Sequence, residues 1–100
     1  MRSPIDGRLA ITDWAERFAL LGDPTRLRLL AAMHRAGPGR ATVADLAAAA
    51  STSPNTASQA LRVLREQGWV RSERHGKAFR YTLIDDTVHE LLHLMGATHD

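Results

Sequence analysis

Three groups of side chains in this 100-residue sequence have types and spacings that could do chemistry. The first lies along a short amphipathic stretch, 54–66. Ala57, Ala60, Leu61 and Leu64 recur at helical spacing and form one apolar stripe, while Asn55, Ser58, Gln59 and Arg62 fall on the opposite side. Asn and Gln can pair with an adenine edge through two hydrogen bonds, and Arg can do so with guanine. Thr56, in the first turn, joins this face, where helix N-terminal N–H groups also favour a phosphate. The second group follows at once: Arg71, Arg74, His75, Lys77 and Arg80 crowd a segment that alternates like a hairpin. Such a basic hairpin suits phosphates or a minor groove. The third group lies near the end of the chain. His89 and His93, four residues apart on a helical pattern, can chelate one ion, with Asp86 one turn earlier and His99 in the tail as further donors. Imidazole with carboxylate suits Zn, Ni or Co. His34, near the end of an earlier helix, is expected instead to pack or to complement that helix's dipole.

Composition narrows the chemistry. The chain holds 44% apolar residues and 24% charged ones, enough for one globular core. A chain this short buries only about 60–65% of its unfolded surface, so pairing with a second copy would help it. There is no cysteine, which removes disulfides, thiolate nucleophiles and thiolate metal sites. No glycine-rich phosphate loop is present, no Ser/His/Asp arrangement suggests a pocket, and Asp85 and Asp86 are neighbours rather than a facing pair. An enzyme is not expected. The longest uncharged stretch, 46–61, carries Ser51, Thr52, Ser53, Pro54, Asn55 and Gln59 and is too polar to cross a bilayer. The first residues lack the apolar run of a secretion signal, so a cytoplasmic protein with no membrane partner is expected. Net charge is only +2, yet segment 54–84 holds six bases against two acids. Twelve of the 13 basic residues are arginine, the side chain best shaped for phosphate and guanine edges.

The elements that must position these groups are readable from period and punctuation. Residues 1–10 read as a flexible arm, followed by one domain over 11–100. A helix over 11–21 carries Ile11, Trp14 and Phe18 on one stripe and stops at Gly22. Asp23 as cap and Pro24 at the first position start a nearly all-apolar helix over 24–36, closed by Gly37. A short helix over 43–50, a Ser51-Thr52-Ser53 turn and a helix from Pro54 to about 67 make a helix-turn-helix over 43–67. Two strands within 70–83 form the hairpin, and a final helix runs over 85–98. Its apolar stripe, Val88, Leu91, Leu92 and Met95, is expected at a subunit interface together with Ile11, Trp14 and Phe18. The expected fold is mainly α with a small β-hairpin, a dimeric winged helix-turn-helix of order α-α-α-α-β-β-α.

The chain resembles the ArsR/SmtB family of winged-helix repressors. The likeness rests on FALLGDPTRLRLL at 18–30, VADLA at 43–47, SPNTASQALRVLREQGWV at 53–70 and GKAFRYTL at 76–83, in family order and spacing from about Trp14 to the end. The resemblance implies a homodimer joined by its first and last helices on a near-palindromic double-stranded operator. It implies an inducer, commonly a metal ion, that weakens DNA binding. Ser58 and Gln59 match groove-facing family positions, whereas Ala60 stands where a histidine is common. One family metal site uses thiols on the helix before the reading helix, and 41–45 has none, so arsenic, cadmium or lead sensing there is not expected. Another uses His and carboxylate ligands from both last helices. Here the usual Asp-x-His is missing, since Thr87 and Val88 follow two residues after Asp85 and Asp86. The reading is a metal-responsive transcriptional regulator, a repressor in the family's manner, with a winged-helix regulator controlled by a protein partner or lacking a metal effector as the alternative.

Overall fold

A computed structural model describes residues 10–96, so all of the expected 1–10 arm but Ala10, and His99, lie outside the described residues. The chain forms α1 (Ile11–Leu21), α2 (Pro24–Ala36), β1 (Ala41–Thr42), α3 (Val43–Ala49), α4 (Pro54–Glu66), β2 (Val70–His75), β3 (Ala78–Leu83) and α5 (Asp86–Leu94). Strand β1 is an addition to the expected order. It is two residues long, too short for any alternation to show, and it exists because β3 offers it an edge: Ala41 pairs with Tyr81 and Thr42 with Arg80. The sheet is antiparallel with order β1-β3-β2.

Local chemistry sets the helix starts. Asp23 accepts the Arg26 N–H at 2.9 Å, and Ser53 accepts that of Thr56 at 3.0 Å. Thr42 and Asp45 satisfy each other reciprocally: the Thr42 hydroxyl accepts from Asp45 N–H at 3.2 Å, and the Asp45 carboxylate accepts from Thr42 N–H at 3.1 Å. These bonds from the Thr42 backbone and side chain, with a smaller attraction from Arg80, hold the Asp45 carboxyl below its ordinary value. Between α3 and α4, Ser51 takes φ +55°, which lets the chain reverse within the turn.

Every helix sends residues inward. Leu29, Leu30 and Met33 of α2 meet Leu46 and Ala47 of α3, Ala57, Leu61 and Leu64 of α4, then Trp69, Val70, Val88 and Leu92. Burying one leucine fully is worth about 1.5–3 kcal/mol, so this cluster is what fixes α4 against α2. Val88 and Leu92 correct an expectation. Each is only 1% exposed within its own chain, so neither can face a partner subunit. The last helix is also shorter than expected, ending at Leu94 rather than 98, because Gly96 takes φ +89° just beyond it.

A long-range tie joins the first and last helices. Arg17 Nη2 donates to both Asp85 carboxylate oxygens, at 3.0 and 2.9 Å. Its guanidinium lies 5.2 Å from the Trp69 ring centroid. Asp85 also caps α5 by accepting the Val88 N–H at 2.9 Å. The Trp69 carbonyl accepts the N–H groups of Ile84 and Asp85, closing the base of the hairpin.

Candidate nucleic-acid interface and histidine cluster

The two faces of α4 differ as its sequence pattern requires. Ala57, Leu61 and Leu64 are fully buried, while Asn55, Thr56, Ser58, Gln59 and Arg62 are exposed. The exposed residues begin in the first turn, beyond the Ser53 cap. Thr56 is drawn into that cap, its hydroxyl accepting from Ser53 Oγ at 3.0 Å. Arg62 lies 3.7 Å from Glu66, both side chains well exposed, a loose pair that a stronger anion can displace. Nothing covers this face among the described residues, and its side chains carry amide and guanidinium groups that can meet base edges in pairs.

The hairpin stands beside α4. Its register runs from Val70 opposite Leu83 to His75 opposite Ala78, leaving a two-residue tip of Gly76 and Lys77. Gly76 takes φ +63° at the first tip position, as tight hairpin turns demand. Arg74, His75, Lys77 and Arg80 are all exposed. Arg74 donates one of its N–H groups to the Gly76 carbonyl at 3.0 Å, stiffening the tip. Glu73 faces Arg71 at 3.1 Å and His75 at 3.8 Å, so the acid is matched by bases rather than left to repel a phosphate backbone. Arg65 of α4 reaches Ser72 of β2 at 3.5 Å, across the angle between helix and hairpin.

The third group assembles differently from its expected form. His89 and His93 do come together, with ring centroids 4.7 Å apart. Their companion is His34, from the last turn of α2, at 4.5 Å from His89 and 4.6 Å from His93. One nitrogen from each of the three rings lies within 4.8 Å of the others. His34 is 3% exposed, His89 half-buried and His93 exposed. Asp86 does not join them: as the first residue of α5 it is exposed to solvent at the helix start. A small cleft of about 120 Å³, lined by Met33, His34, Gly37, Pro38, Thr82, Leu83 and His89, opens beside the cluster. The donor set, imidazole nitrogen without sulfur, fits a borderline divalent ion such as Zn, Ni or Co. His34 was missed because nothing along the chain links 34 to 89. The one available signal was its type, a histidine at the end of an otherwise apolar helix.

Of the residues expected at a subunit interface, Ile11 is 84% exposed, and Phe18 and Met95 are each 55% exposed. Trp14 and Leu91 are half-buried, the Trp14 ring lying 5.8 Å from that of Phe18. Leu94, not singled out from the sequence, is 83% exposed. A shallow apolar hollow lies between Phe18, Leu21, Gly22, Leu27, Leu91 and Met95. No helix among the described residues is long and apolar enough to cross a membrane.

Comparison with known proteins agrees with this geometry. Residues 21–73 match a family model described as a helix-turn-helix domain. The chain is 43% identical over 77 residues to a transcriptional repressor SmtB homolog of Synechocystis, covering 77% of this chain and 56% of that relative's length. It is 37% identical over 90 residues to the HTH-type transcriptional regulator NmtR of Mycobacterium tuberculosis, covering 90% of this chain and 72% of that protein. Among solved structures, the antimony-specific transcriptional repressor AntR superposes with a TM-score of 0.75 at 30% identity, over 95% of this chain and 89% of that one. The repressor BigR of Xylella fastidiosa gives 0.77 at 26% identity, over 94% and 93%. These relatives are named as regulators of transcription, and sequence and topology agree: the chain belongs to the ArsR/SmtB family of winged helix-turn-helix transcriptional regulators.

Proposed function

We propose that this chain is a homodimeric transcriptional repressor that reads operator DNA with α4, braces itself on the backbone with the hairpin, and responds to a divalent transition metal. The observation that carries the reading is the outer face of α4. Asn55, Ser58, Gln59 and Arg62 are exposed directly behind fully buried Ala57, Leu61 and Leu64. A helix held rigidly by one face and offering paired donors on the other enters a major groove. Arg74, His75, Lys77 and Arg80 supply the phosphate or minor-groove contacts, with Thr56 and the α4 N-terminus facing the backbone.

Dimerisation accounts for the apolar side chains left outside on the first and last helices. Ile11 and Phe18 of α1, Leu94 at the end of α5 and Met95 just beyond it are costly to leave in water. A second copy related by a two-fold axis would cover them and set two α4 helices about one DNA turn apart, roughly 34 Å. The metal response rests on the clustered histidines. An effector that prefers one dimer geometry needs only a modest coupling, typically 1–3 kcal/mol, to change operator affinity 5–150-fold.

Fluorescence anisotropy of the full chain on DNA from upstream of its own gene tests this reading. Tight binding that weakens steeply with salt, and that moves 5–150-fold on adding zinc, nickel or cobalt, is expected. Gln59→Ala is expected to cut operator affinity while leaving the fold unchanged. Equal binding to operator and scrambled DNA, or none at low salt, overturns it. Sedimentation at working concentrations reads the dimer.

A further inference from the structure

We infer that His34, His89 and His93 of a single protomer form a three-imidazole site for a divalent ion of the zinc, cobalt or nickel type, which pins the end of α2 to α5. This deepens the metal-response reading and rests on it only for the consequence on DNA; the ion site itself stands on the cluster.

Three features carry it. First, the distances are close to those of a ligand set. Zinc–nitrogen bonds of about 2.0–2.1 Å in a tetrahedron place nitrogens roughly 3.3 Å apart. Here one nitrogen from each ring already lies within 4.8 Å of the others. Closing the remainder takes a movement of about 1.5 Å or less, within reach of small side-chain rotations, with exposed His93 the freest to turn. Second, the rings meet edge-on, with interplanar angles of 79°, 85° and 70°. Imidazole coordinates through its ring edge, and rings set steeply to one another leave those edges free to turn toward one ion, whereas flat stacking would hold them apart. Third, the cleft beside His34 and His89 gives an ion a route to a histidine that is otherwise 3% exposed.

The donor set selects the ion. Three neutral nitrogens suit borderline dications, whereas magnesium and calcium want oxygen and thiophilic ions want sulfur. Three protein ligands leave a fourth position for water.

The place in the fold gives the ion its leverage. His34 follows Met33 of the shared core, and the cleft is also lined by Thr82 and Leu83 of β3. Thr82 Oγ1 accepts the Gly39 N–H at 2.8 Å, tying the segment after α2 to the hairpin. The ion would therefore sit where the end of α2, the root of the hairpin and α5 converge. Fixing that junction changes the angle at which α5 leaves the reading unit, and so the spacing of two α4 helices in a dimer.

Cobalt(II) titration of the full-length protein, followed by its visible d–d absorption and by zinc displacement, tests the site. One cobalt per chain is expected. His34→Ala and His93→Ala should each weaken binding at least about 100-fold, beyond the 10–100-fold loss typical of removing only a supporting hydrogen bond to a ligand. His75→Ala, outside the cluster and next to the hairpin tip, should bind cobalt like the parent. An equal mixture of the His34→Ala and His93→Ala proteins should regain no site, because both ligands come from one chain. No cobalt bound by the parent, parent-like binding by His93→Ala, or about a quarter of the sites restored in the mixture (one site in each mixed dimer) would each overturn the proposal. His93 is exposed, so that variant serves even where His34→Ala does not fold. One cobalt per chain lost on His93→Ala, in a protein that ignores its operator, upholds the site and removes the repressor reading. Firm operator binding by a protein that takes no cobalt does the reverse.

Discussion

Along α4, every side chain of the proposed reading face comes from one helix, and its position follows from a cap, a period and a stripe. The histidine cluster takes one ring from α2 and two from α5, more than fifty residues apart, and is brought together only by the packing of Met33, Val88 and Leu92. The first region is exposed, polar and shaped before any ligand arrives. The second runs from buried His34 to exposed His93 and sits at a junction of elements. A surface that must meet a long polymer is best presented by a rigid local element. A group that must report a small ligand to the rest of the molecule is best placed where elements meet.

The contrast is sharpest if each region can be broken alone. The largest effect is expected from Gln59→Ala combined with Arg62→Ala. Each good paired base contact is worth about 1–3 kcal/mol, so operator affinity should fall at least about 30-fold in anisotropy titrations, with scrambled-DNA binding much less changed. Cobalt binding should stay as in the parent. His93→Ala should do the opposite: operator affinity without metal unchanged, and the 5–150-fold metal response lost in the same assay. A variant in either region that disables both would erase the distinction. Lys77→Ala should act more mildly, weakening operator and scrambled DNA alike and lowering the slope of log affinity against log salt by about 0.9 if the side chain neutralises one phosphate.

The smallest effect concerns neither region directly. Asp45, at the start of α3, is held below its ordinary value of 3.8 by the Thr42 bonds. A lowered carboxyl stabilises the folded chain above its unfolded value, and that contribution disappears as pH falls through the folded one. Thermal melts should therefore show the parent slightly more stable than Asp45→Asn at pH 7, with the gap closing below about pH 4.

What could be read ahead of the structure follows the same division. Asp23, Ser53, Pro24 and Pro54 announce where helices begin, and Gly37 announces where the chain turns, because capping and positive φ are decided within a few residues. The outer face of α4 was legible for that reason. His34 was not, since its partners depend on how α5 crosses α2. Arg17 and Asp85 pair across 68 residues for the same reason, although the capping role of Asp85 was plain. Helical spacing makes the stripe on α5 one surface, yet the fold splits it. Val88 and Leu92 turn inward, Met95 outward, and Leu91 stands between. An apolar stripe tells that something covers it, and only the crossing of helices tells what.

The double acceptance at the Trp69 carbonyl has one more outcome. Both legs of the hairpin are anchored at that single oxygen, where Ile84 and Asp85 return to the residue that precedes β2. The far end at Gly76 and Lys77 therefore hangs from a fixed root and carries none of the core. Residues added in matched pairs on either side of the tip would lengthen the finger without shifting the body. Reach along the double helix becomes a quantity that can be tuned by insertion, separately from which bases are read.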